Sequence, residues 1–128
     1  MGAWGRGTFE NDDARDWVRQ LERAPDLSVI EAALDGAVSA EYPEAPQCAE
    51  ALAAVDVLAA LQGTTVAAPQ EVTAWVRGKP APSAALIAKA KRAIDAVLAN
   101  SELKDLWEES SEGAAWEAEV RAAKARLR

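Results

Sequence analysis

The sequence predicts an all-α fold: a single compact domain of six or seven helices in an irregular, orthogonal bundle around an alanine-rich central helix. Three observations predict it. Alanine, the best helix former, fills 31 of 128 positions, whereas Val and Ile together fill 13. Apolar residues recur at i, i+3, i+4 and i+7 in successive segments. A chain of 128 residues builds one core and not two.

The elements follow in order. Asn11 reads as the N-cap of a first helix, with Asp12 and Asp13 at the positive end of its dipole. Ala14, Trp17, Val18 and Leu21 form its apolar stripe, and Pro25 stops it. Ser28 reads as the cap of a second helix, with Glu31 completing a capping box. Ile30, Ala33, Leu34, Ala37 and Val38 form its buried face. A third helix runs from about Pro46 to Gln62, with Gly63 as its stop. Apolar residues nearly encircle it, which marks the central helix.

Pro69 starts a short helix carrying Val72, Trp75 and Val76, and Gly78 and Pro80 end it. Ser83 caps a helix with Leu86, Ile87, Ala90, Ile94, Val97 and Leu98 inward, closed by Asn100. Ser101 caps a segment with Leu103, Leu106 and Trp107 inward. Residues 110–113 form a break before a last helix carrying Trp116 and Val120. The windows AVDVLAA (54–60) and AIDAVLA (93–99) are alike, which suggests two core helices with one packing solution, placed as neighbours.

Composition narrows the chemistry. There is no histidine, the commonest general base and metal ligand. A lone cysteine, Cys48, excludes an internal disulfide, fits a reducing compartment and reads as a small core residue. No apolar run approaches the ~20 residues of a membrane span, and no secretory signal pattern is seen. The expectation is a cytoplasmic protein with no cofactor. Tryptophans 17, 75, 107 and 116 fall on apolar stripes and read as core.

Charge is uneven. The net charge is −7, with residues 1–62 at −8 and residues 63–128 at +1. No Lys or Arg lies between Arg23 and Arg77. Such a field repels nucleic acid and steers basic partners. The interaction candidates are Glu31, Asp35, Glu41, Glu44 and Glu50, on a face made by the second and third helices. The only candidates for magnesium-dependent hydrolysis are Asp12, Asp16, Glu102 and Glu109. Asp56 stands alone in the most apolar helix. It reads as the one exposed stripe there, with Ala49, Ala53 and Ala60; buried, it needs Arg15, Arg19 or a helix N-terminus.

The opening MGAWGRGTFENDDARDW carries a W-G-x-G-x-F-x-N-D-x-A-x-D-W pattern at Trp4, Gly5, Gly7, Phe9, Asn11, Asp12, Ala14, Asp16 and Trp17. A second pattern, S-E-L-x-x-L-W-x-E-S, lies around Trp107. Together they resemble domain-of-unknown-function family 4259. The resemblance implies a small, stand-alone helical bacterial protein and brings no catalytic residues. Residues 1–10 read as a lock on the core, with Trp4 and Phe9 tucked in and Gly5 and Gly7 relieving the backbone. The function expected from the residues is non-catalytic binding: an acidic immunity or inhibitor protein for a basic protein partner. The alternatives are a magnesium-dependent hydrolase of the all-helical nucleotide pyrophosphatase kind and an oligomeric structural module, for which alanine-rich faces would suit a homodimer.

Overall fold

A computed structural model describes residues 5–128. Its described residues form seven helices: α1 (Asp12–Glu22), α2 (Ser28–Val38), α3 (Ala45–Leu61), α4 (Gln70–Val76), α5 (Ala84–Ala99), α6 (Glu102–Glu108) and α7 (Gly113–Arg126). None is long and apolar enough to cross a membrane. α1, α5 and α6 begin where an N-cap side chain satisfies an orphan backbone donor. Asn11 accepts from the Ala14 N–H at 2.8 Å, Ser83 from Leu86 and Ser101 from Lys104, both at 3.1 Å. The α2 start differs from the sequence reading. Ser28 is its first helical residue, and the Asp26 carboxylate accepts the Ser28 N–H at 3.0 Å. The Ser28 hydroxyl, followed by that backbone N–H, holds the Asp26 carboxyl below its ordinary range.

α3 is the hub. It starts at Ala45, one residue before the expected Pro46, with the Gln47 side chain accepting the Glu44 N–H at 2.9 Å. Every residue from Ala51 to Ala59 is buried, and α3 touches all six other helices. Alanines at 51, 53, 54 and 59 let neighbours approach closely. Gly63, at φ +88°, ends it, and the Thr64 N–H returns to the Ala59 carbonyl at 3.0 Å.

The four expected core tryptophans are buried. The Trp75 indole N–H donates to the Ala24 carbonyl at 3.1 Å, tying α4 to the end of α1. α3 and α5, which carry the two similar windows, lie side by side. The chain end closes on α3: the Gln62 amide exchanges two hydrogen bonds with the Arg128 backbone, at 2.9 and 3.0 Å.

Two glycines separate close packing from free surface. A Cβ on Gly113 would stand 2.8 Å from the Trp107 carbonyl oxygen and 3.2 Å from the Glu108 Cα, so α7 meets α6 only because residue 113 has no side chain. A Cβ on Gly36 would meet nothing within 4 Å. Gly113→Ala should therefore lower stability by about 1–3 kcal/mol. Gly36→Ala should raise it by up to about 1 kcal/mol. Denaturant titration of both variants checks the opposite signs.

Candidate functional site

A narrow cleft of about 50 Å³ lies under residues 5–8. Ala45, Ala49 and Leu52 of α3 form one wall. Trp107 of α6 and Trp116 of α7 line another, with ring centroids 6.4 Å apart and planes 8° from parallel. The close α6–α7 junction at Gly113 brings the two rings together. Asp13 of α1 and Glu119 of α7 stand on the rim with Arg6, whose guanidinium is engaged by Glu112 at 3.0 Å.

The rim is electrostatically unbalanced. Glu50 of α3 is half-buried, and burial, followed by the neighbouring Asp13 carboxylate, pushes its carboxyl above the ordinary range. Among the described residues, Asp13, Glu50 and Glu119 make no ion pair.

Asp56 corrects the sequence reading. It is buried, not the exposed stripe of α3, because α3 has no exposed stripe through residues 51–59. Its partner is Arg126 of α7, at 3.2 Å, rather than Arg15 or Arg19. Burial raises the Asp56 carboxyl above 3.8, opposed by Arg126 and by the Thr8 hydroxyl. Thr8 of the N-terminal segment and Asp56 of the central helix line the same depression. Arg126 keeps 35% of its side chain in water against 4% for Asp56, so the desolvation cost falls mainly on the carboxylate. An open depression lies over the pair, edged by Phe9, Val66 and Pro69.

With this geometry in hand, comparison with known families is informative. The family described as Domain of unknown function (DUF4259) matches residues 2–119. The chain belongs to this family. No curated protein and no solved structure matches it. In this DUF4259 chain the matched span covers the N-terminal segment, both cleft tryptophans and Asp56, while Arg126 lies beyond it.

The sequence-predicted residues separate into distinct places. Of the motif, Phe9 and Trp17 are buried, Asn11 caps α1 and Trp107 lines the cleft; Trp4 lies outside the described residues. At Gly5 and Gly7 the space a Cβ would fill is taken by the Glu10 carboxylate, which also accepts the Gly7 N–H at 3.0 Å. Glu10 therefore curls back over the segment it ends. Asp12 and Asp16 stand exposed on α1, with Asp16 paired to Arg19 at 3.3 Å. Glu102 accepts the Ala45 N–H at 2.7 Å, at the start of α3. Glu109 is exposed at the end of α6. Among the described residues no three such side chains gather as a metal site.

The acidic interaction candidates divide too. Glu31 and Asp35 of α2 both engage Lys89 of α5, at 3.2 and 2.8 Å. Glu41 and Glu44 are exposed without an ion pair among the described residues. Cys48 is buried, and desolvation pushes its thiol up, which keeps it protonated and unreactive. Sequence reasoning missed Asp13, Glu119 and Trp116 as neighbours. The first two sat among ordinary helix-surface acids, and the third read as core alone.

The Asp56–Arg126 pair has a pH signature. Arg126→Met leaves a buried carboxylate uncompensated and should cost about 3 kcal/mol near pH 7. The folded Asp56 carboxyl already sits above its unfolded value, so stability falls as pH rises through its folded range. Without Arg126 that upward shift grows. The deficit should therefore shrink as pH is lowered through the acid range, where Asp56 takes up a proton. Melting curves of both proteins across this range would reveal a pH-independent gap if the pair were incidental.

Proposed function

We propose that the protein is a non-catalytic binding module that takes a basic protein partner on its acidic end, where α1 and α3 begin. The observation that carries this reading is the crowding of Glu50 by Asp13 beside the tryptophan-lined cleft. Among the described residues neither charge has an ion-pair partner, and two such like charges lower the stability of the isolated fold and are relieved by a cation from outside. The exposed Asp12 and Glu44 extend the same field. The net charge of −7 favours encounter with basic surfaces. The binding face thus shifts from the second and third helices toward α1 and the start of α3, since Lys89 already balances the α2 acids. An inhibitor or immunity protein for a basic bacterial toxin is the concrete form of this function.

The reading makes stability and binding move in opposite directions. The folded Glu50 carboxyl is raised, so its charge costs stability above that range and nothing below it. Asp13→Asn with Glu50→Gln should raise the melting temperature near pH 7 by about 1–2 °C, from a few tenths of a kcal/mol after solvent screening. The gain should fade as pH falls through the raised Glu50 range, where that carboxyl takes up its proton. Cross-linking in the native host should recover a basic protein with the parent chain and lose it with the double variant. Unchanged recovery, or an acidic partner, would remove the proposal.

A further inference from the structure

We infer that the cleft under residues 5–8 seats one arginine side chain of the basic partner. This rests on the reading of the protein as a binder of basic proteins and names its anchoring contact. The size of the space selects a side chain. About 50 Å³ is far below the roughly 300–1,000 Å³ of small-molecule sites. The lining selects the chemistry. Ala49, Leu52 and Val120 give an apolar channel for an aliphatic stem. Trp107 and Trp116 offer aromatic faces, on which a guanidinium stacks better than an ammonium. Asp13 and Glu119 stand on the rim from separate helices, placed to receive a planar, multi-donor head group. Among the described residues Arg6 is the one basic residue on the lining, and Glu112 already holds it. An acidic side chain would be repelled there, and an apolar one would leave the rim carboxylates unrelieved.

The test uses the full chain and three synthetic peptides, acetyl-(Gly-Arg-Gly)₃-amide and its lysine and citrulline counterparts. Binding is followed by the indole N–H resonances. The arginine peptide should shift Trp107 and Trp116 and leave Trp17 and Trp75 in place. It should bind about three to ten times more tightly than the lysine peptide, the range expected of a stacked cation, and the citrulline peptide should bind least. Asp13→Asn with Glu119→Gln should cancel the preference while the protein stays folded by circular dichroism. Equal binding of arginine and lysine peptides without indole shifts overturns the arginine seat and leaves the acidic face standing. Binding of neither basic peptide at low salt counts against both. Binding that appears only after deletion of residues 1–4 overturns the seat as a partner site, because the chain's own segment would then be its occupant.

Discussion

A helix enclosed on every side has no solvent face on which to place a charge and no slack in which to place bulk. α3 meets both conditions. Its middle is buried without interruption, and alanine keeps it thin enough for six helices to reach it. Large side chains are supplied from outside instead: Trp17, Leu21, Ile30, Leu34 and Ile94 fill the space that small residues on α3 leave. The one charge in the fully buried middle of this helix, Asp56, then dictates what must stand opposite it. Arg126 reaches in from α7, so the last helix is held against the middle of α3.

The two similar windows of α3 and α5 show how context sets the fate of a residue. Each carries an aspartate at its third position. Asp56 is buried and Asp95 is exposed, yet α7 supplies a base to both, Arg126 to the first and Lys124 to the second at 2.8 Å. The basic end of α7 thus clamps the two central helices, beyond satisfying its own negative pole. The same helix contributes Trp116 and Glu119 to the cleft. The proposed binding seat and the clamp on the core therefore share a single element, about one and a half to three turns of helix apart.

Much of the fold was legible because its signals are local. Asn11, Ser83 and Ser101 cap the helices they were read to cap, Gly63 ends α3, and the buried tryptophans lie on the stripes that periodicity drew. Asp56 was not legible, since encirclement erases the periodicity that distinguishes inside from outside. Its partner is 70 residues away. The α2 acids looked uncompensated because a running charge count cannot see Lys89, which the fold brings from 58 positions further on to Glu31. The cleft escaped notice for a related reason. Trp107 and Trp116 each read as core, and only the close α6–α7 junction at Gly113 makes them two walls of one space. Asp13 and Glu119 gain meaning only beside that space.

The central claim is that α3 is the element on which the whole domain closes. Native-state amide hydrogen exchange tests it most directly, because it resolves the free energy at which each helix opens. The account predicts that amides from Leu52 to Leu58 exchange only through global unfolding, with opening free energies equal to the stability measured by denaturant. Exchange of these amides through a local opening, while α1, α2 and α5 keep their protection, would contradict it.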